Sequence, residues 1–346
     1  MLTSAHGISV VTPVRGRVPE LRAMLASVRV AAARCPVPVE VIVVDDSEPH
    51  QARQHRDSCR RYGARYLRGP RNVGAKRNIG VRDSRYDVVV FLDSDCRATA
   101  DLLGRYAAGI DRADADVAAI AGPTFPEPGT GPVFRLMRGS ALLNDDLERP
   151  ARLHRVPWAT TCNLAVRRSA FEEVGGFRTD TLDLVGGEDV DFGLRLTGRG
   201  FVIACDPQAV VTHASGSTGS LPTVLRRLWT YGRSEQWLVT RHPLGRRTRL
   251  NPVTATVVAS LVALLGAHSS RRALWLGPAT AAALLVRDAH RRGGLTPPLV
   301  ARTLVEWAFD AGAVSGAVRL RRPDLLLAGF APADIVPDNP RRAHVG

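Results

Sequence analysis

The sequence predicts an α/β fold, with a mainly parallel central sheet and a C-terminal helical extension. Three observations predict it. Short apolar runs at residues 8–11, 39–44 and 87–92 alternate with stretches of helical spacing. These runs are apolar almost throughout, as strands covered on both faces are. Beyond residue 220 the pattern changes to arginine-rich sequence broken by two uncharged stretches.

Residues 8–11 form a β-branched run ended by Thr12-Pro13, which reads as a buried strand. Val18, Leu21, Leu25 and Val28 then fall at helical spacing, with Pro19 near the helix start. The second strand, residues 39–44, stops at Asp45-Asp46-Ser47. A charged helix, a short strand at 64–67 and a helix at 74–83 come next. The strand at 87–92 also stops at acids, Asp93-Ser94-Asp95. Residues 123–160, rich in Gly, Pro and charge, read as an irregular excursion. A strand at 163–166, a helix opening at Ser169, a helix from Glu188 to Arg199 and a strand ending at His213 complete this part.

The chain has 346 residues, 45% hydrophobic and 23% charged, a globular composition. The expected organisation is a catalytic domain over 1–220 and an extension over 221–346. From 221 onward there are 18 Arg and 7 acids, a net +11 of the total +14, which leaves +3 for residues 1–220. Such a surface suits nucleic acid or an anionic membrane. An arginine-rich vocabulary raises the same count without any partner, since Lys76 is the single lysine among 47 basic residues. The uncharged stretches at 252–267 and 273–286 are bracketed by arginines. At 1.5 Å per residue the longer covers ~24 Å, short of a ~30 Å hydrocarbon core. A membrane-associated hairpin over 252–286 is expected, with two ordinary core helices as the alternative.

Five scattered cysteines lack disulfide or zinc spacing, and residues 1–7 lack an apolar signal core, so a cytoplasmic location is expected. Aromatics are 5% and no nucleic-acid motif occurs, so no nucleic-acid partner is expected.

In parallel sheets ligands sit beyond the carboxyl ends of the strands, where both acidic clusters lie. Asp93 and Asp95, two apart on a loop, suit Mg²⁺ or Mn²⁺, ions that also hold phosphate oxygens. Alone, this pattern is equally that of a solvated loop or a helix cap. Asp45 and Asp46 can accept hydrogen bonds from a nucleotide base or ribose, or simply make a turn. The segment from Arg71 to Gly80, with Asn72, Lys76 and Asn78, combines glycine and basic groups suited to phosphate. Glu188-Asp189 opens a helix after Gly186-Gly187, where a carboxylate serves as a general base or offsets the helix dipole. His213 ends a strand and is either a metal ligand or structural.

As an ordered set these features resemble the family 2 glycosyltransferases of GT-A fold over residues 7–215. The resemblance matches Thr12-Pro13 to the first strand's turn and Asp45-Asp46 to the nucleotide-binding pair. It matches Asn72, Lys76 and Asn78 to the basic segment, and Asp93-Ser94-Asp95 to the Asp-x-Asp motif. Residues 161–168, with Asn163, and then Gly175-Gly176-Phe177 match the acceptor region. Glu188-Asp189 matches the base motif, with Asp189 catalytic, and His213 matches a further metal ligand beside Asp93 and Asp95. It implies a uridine- or guanosine-linked nucleoside-diphosphate sugar donor, a divalent cation and inversion at the anomeric carbon. Residues 225–229 lack the glutamine of the Gln-x-x-Arg-Trp element, which disfavours a processive polymerase. The tail looks like that of actinobacterial members serving peptide-cofactor or natural-product pathways. A nucleotidyltransferase of related fold and a basic membrane adaptor stay open as alternatives; released diphosphate rather than pyrophosphate separates the first.

Overall fold

The computed structural model describes residues 5–214, 219–266 and 270–332. The first half alternates as β1 (Ala5–Val14), α1 (Val18–Ala33), β2 (Val39–Asp45), α2 (Pro49–Tyr62), β3 (Arg65–Arg68), α3 (Val73–Arg82) and β4 (Tyr86–Leu92). Then come β5 (Cys96–Ala98), α4 (Leu102–Arg112), β6 (Val117–Ala121) and β7 (Thr124–Pro126). Residues 123–160, expected to be an irregular excursion, are largely regular. They hold β7, α5 (Pro132–Met137), α6 (Ala141–Glu148) and β8 (Arg155–Val156), anchored by buried Met137, Leu143 and Val156. The N-terminal part ends with β9 (Asn163–Arg167), α7 (Arg168–Glu173), α8 (Glu188–Gly198), β10 (Val202–Cys205) and β11 (Val211–His213).

The main sheet has the order β3-β2-β1-β4-β9-β6-β10-β8. Strands β3, β2, β1 and β4 run parallel, as do β6 and β10, while β9 is antiparallel to both its neighbours. Successive side chains of a strand point to opposite faces. Along β4, Val88, Val90 and Leu92 enter one core with Leu21 and Leu25 of α1, Cys59 of α2 and Tyr106 of α4. Val89 and Phe91 enter the other core, with Val81 of α3, Phe171 of α7 and Phe192 of α8. Burial on both faces is why the strand reads as an unbroken apolar run.

A second sheet, β5-β11-β7, decides where His213 sits. β11 pairs antiparallel with β5, opposing His213 to Cys96, one residue beyond the Asp-x-Asp loop.

The extension is helical: α9 (Leu221–Arg241), α10 (Pro252–Gly266), α11 (Leu276–Arg291) and α12 (Pro297–Arg319), with β12 (Arg246–Thr248) paired to β13 (Ala328–Phe330). α9 and α12 cross at close range through glycine. A Cβ at Gly232 would lie 1.8 Å from the Phe309 carbonyl oxygen, and one at Gly312 2.1 Å from that of Trp229. α10 and α11 pack on each other; the end of the expected stretch 252–267 lies outside the described residues. Among the described residues, no helix is long and apolar enough to cross a membrane.

Candidate active site

The carboxyl ends of β2, β1 and β4 are adjacent in the sheet, so Asp46, Pro13 and the Asp93-Ser94-Asp95 loop converge on one cleft. The cleft has a volume of about 1030 Å³, room for a nucleotide sugar. Asn72, Lys76, Glu188, Asp189 and His213 also line it.

Lys76 donates to the Val14 carbonyl oxygen at 3.0 Å and pairs with Asp46, which Arg15 also binds at 2.7 Å. Burial lowers the Lys76 ammonium below its ordinary value, against the opposing pull of Asp46. Asn72 caps α3, its side-chain oxygen accepting from the Ala75 N–H at 2.8 Å. This is the capping chemistry asparagine favours.

Asp95 is buried at 7% exposure. Its Oδ2 accepts from Arg17 and faces His213 Nε2 at 3.4 Å, while its Oδ1 is buried with no partner among the described residues. His213 Nδ1 lies 2.9 Å from the Ala214 carbonyl oxygen. A carbonyl only accepts, so Nδ1 carries the hydrogen, and Nε2 is the ring nitrogen on the side of Asp95. The orphan Oδ1 and a ring nitrogen beside the Oδ2 of the same carboxylate are ligand atoms of the kind that fit a divalent cation. The thiol of Cys96 joins them, the three ligand atoms lying within 4.8 Å of one another. Its position in the sequence, far from His213, gives no sign of that role. Asp93 turns to the other side, where its Oδ1 accepts from Arg77 Nη2 at 2.8 Å.

Arg77 also donates to Glu188 Oε1 at 2.9 Å, and Glu188 Oε2 accepts from the Gly186 N–H at 2.7 Å. Glu188 is thus committed to structure. Asp189 is different: Oδ1 accepts from the Val190 N–H at 2.9 Å, and among the described residues no ion pair holds it. Burial, then the charge of Glu188, push its carboxyl up to about 7, although Arg77 opposes them. Gly187, at φ +85°, caps α8 in a conformation that L side chains rarely adopt, and so aims Asp189 into the cleft.

Four expected site residues do not reach the cleft. Asp45 is fully buried; it accepts from Tyr66 at 2.8 Å and the Ser47 N–H at 2.7 Å and lies 3.3 Å from His55, supporting the loop from behind. Thr12 has no exposed surface. Asn78 exchanges two hydrogen bonds with the Phe177 backbone, at 2.8 and 2.9 Å. Asn163 donates to the carbonyls of Pro123 and Ala209 and accepts from Tyr106 at 2.6 Å. Polar residues at strand ends look alike in sequence, and only long-range partners separate the structural ones.

Other cleft residues were missed by the sequence reading. Arg17 and Arg77 reach the acids, and α9 supplies Arg227, held by Tyr231 at 2.6 Å. The four-residue spacing of Arg227 and Tyr231 on one helix was the available signal. Residues beyond 220 therefore complete the cleft wall.

Acids at the carboxyl ends of adjacent strands, with an imidazole brought in by a second small sheet, define the GT-A class of α/β transferase. Residues 9–175 match the family model described as Glycosyl transferase family 2, and the chain carries a family 2 glycosyltransferase domain. The chain is 31% identical over 250 residues to the Pre-mycofactocin glycosyltransferase of Mycobacterium tuberculosis, covering 69% of this chain and 49% of that protein. It thus spans about half the length of that relative. The Succinoglycan biosynthesis protein ExoM of Rhizobium meliloti is 29% identical over 313 residues, 88% of this chain and 91% of its own. The fold is similar to that of a mannosyltransferase from Pyrobaculum calidifontis, solved in complex with GDP-Man and Mn²⁺. The TM-score is 0.57 at 19% identity, covering 91% of this chain and 90% of that one.

Proposed function

We propose that this protein moves a sugar from a uridine- or guanosine-linked nucleoside diphosphate to an acceptor hydroxyl by a single inverting displacement. The observation that carries the reading is the Asp189 carboxylate, free of ion pairs among the described residues, in the same cleft as Asp95 and His213. Asp46, Lys76 and Asn72 border the donor side, with Pro13 and Ser94 beside them. Asp95 and His213 would hold Mg²⁺ or Mn²⁺, with Asp93 near, and the ion would supply positive charge against the departing diphosphate. Asp189 takes the proton of the acceptor hydroxyl. The bond from that oxygen to the anomeric carbon forms as the bond to the diphosphate oxygen breaks on the opposite face. Arg77 holds Asp93 and Glu188 in place, and Arg227 adds positive charge from α9. The similarity to enzymes named as glycosyltransferases supports the reading.

We assign the catalytic role to residues 1–220, completed by α9, and place the extension at the cytoplasmic face of an anionic membrane. Exposed apolar side chains on α10 and α11 support that placement. The test is a screen of nucleotide sugars with Mn²⁺, following released nucleoside diphosphate. Release of pyrophosphate would establish nucleotidyl transfer instead, and no turnover with any donor would remove the enzymatic reading.

A further inference from the structure

Away from the cleft, a polar cavity of about 320 Å³ opens at the base of the α10–α11 pair. Arg249, Arg287, Arg291 and Arg292 line it, against the two carboxylates Asp288 and Asp310. Both carboxylates are committed: Asp310 to Arg249 at 2.6 Å, and Asp288 to Arg287 at 2.8 Å and the Trp307 ring N–H at 3.3 Å. Arg292 pairs with Glu306. Arg291 makes no ion pair among the described residues. Arg249 also meets Glu235 at 3.4 Å, so three of the four guanidinium groups already hold carboxylates, and Arg291 is the fork left among the described residues to match the oxygens of a phosphate.

α10 and the turn that leads into α11 expose large apolar side chains: Leu261 at 56%, Leu264 at 63% and Leu265 at 81% on α10, and Trp275 at 73% in the turn. Leucine and tryptophan on an arginine-flanked helix are the composition of an interfacial element. Arginines stand at both ends, Arg271 and Arg272 at the tip and Arg287, Arg291 and Arg292 at the base. The 16 residues of α11 separate the two groups by ~24 Å. Upright insertion would bury the tip arginines in hydrocarbon; a flat orientation leaves both groups at headgroup level.

We propose that this cavity is a binding site for the phosphate of an anionic phospholipid headgroup, occupied while the exposed face of α10 and α11 rests on the acyl chains. The proposal does not depend on the sugar-transfer reading, and it narrows the membrane placement to a defined site. Its test uses no nucleotide, so the two fail separately.

The experiment is cosedimentation of the full chain with vesicles of phosphatidylcholine alone or with phosphatidic acid, at low salt. Binding is expected only with phosphatidic acid. Arg287→Ala with Arg291→Ala should weaken it about tenfold or more. Asp288 keeps its Trp307 bond in that variant, and Arg291→Ala alone, which removes no ion pair, should give a smaller loss in the same direction. Arg34→Ala with Arg82→Ala removes equal charge from the N-terminal surface and should bind as the wild type. Leu264→Asn with Leu265→Asn should also weaken binding. Equal losses in the Arg34/Arg82 control would reduce the effect to net charge and overturn the site. So would equal binding to pure phosphatidylcholine, or inorganic phosphate bound as tightly as the anionic vesicles.

Discussion

Arg77 Nη1 donates to Glu188 Oε1 at 2.9 Å, joining residues 111 apart in the chain. The other nitrogen, Nη2, holds Asp93 at 2.8 Å, and the guanidinium lies 5.7 Å from the centre of the Phe177 ring. One buried cation thus ties the loop after β4 to the first turn of α8. Replacement by methionine would leave Glu188, itself 5% exposed, without its cation. Breaking a buried pair from one side costs ~3–5 kcal/mol. Urea unfolding of Arg77→Met should show a loss of that order, with Arg77→Lys in between. A change below ~1 kcal/mol would mean the bridge is not a structural tie.

Asp45 is expected to support folding rather than the nucleotide. Burial raises its carboxyl, but hydrogen bonds from His55, Ser47 and Tyr66 outweigh that and hold it below the ordinary carboxylate range. A group lowered in the folded state stabilises fully above its unfolded value, ~3.9, and loses that contribution as the pH falls toward the folded one. Asp45→Asn should therefore lower the urea midpoint at pH 7 and show a shallower decline from pH 5 to pH 3 than the wild type. Removing the carboxylate from its donors costs roughly 1–3 kcal/mol. Parallel declines would mean that Asp45 does not carry the acid sensitivity.

Asp45 also shows what the sequence could and could not convey. The strands β1, β2 and β4 were legible because burial on both faces leaves runs such as Val88–Val89–Val90–Phe91–Leu92 with no polar interruption. β6 was not: Val117–Ala121 is short and largely alanine, and it is a strand because β9 and β10 flank it. α9 was hidden because buried Val224 and Leu228 lie among arginines that turn to the cleft or to solvent. In the site, acids at strand ends were visible as a set. Their individual directions were not, since the partners of Asn163 lie 40, 46 and 57 residues away. Cys96 joined Asp95 and His213 only through the pairing of β5 with β11.

Nucleotide binding should depend on a divalent ion. The buried Oδ1 of Asp95, unpartnered among the described residues, and His213 Nε2 beside Oδ2 are ligand atoms that would hold a cation. Calorimetry with uridine and guanosine diphosphates should show binding with Mn²⁺ and its loss with a chelator. Asp95→Asn should lower turnover ~10²–10³-fold, the usual consequence of removing a charge stabiliser. Affinity unchanged by the chelator would sink the metal assignment.

Asp189 should set the pH dependence of transfer. Its carboxyl, pushed up to about 7 by burial and by Glu188, is largely protonated at pH 6 and ionised at pH 8. Only the ionised form accepts a proton, so kcat/KM for the acceptor should rise across that interval and level off above it. Asp189→Asn keeps the size and the bond from the Val190 N–H but cannot take the proton. It should cut turnover ~10²–10⁴-fold while calorimetry finds donor binding near wild type. Glu188→Gln is the informative companion. It removes the charge that helps raise Asp189, so the midpoint of the pH profile should move to lower pH, although the lost Arg77 bridge will also cost stability. A profile unmoved by Glu188→Gln, or an Asp189→Asn enzyme that turns over normally, would place the base on another residue of the cleft.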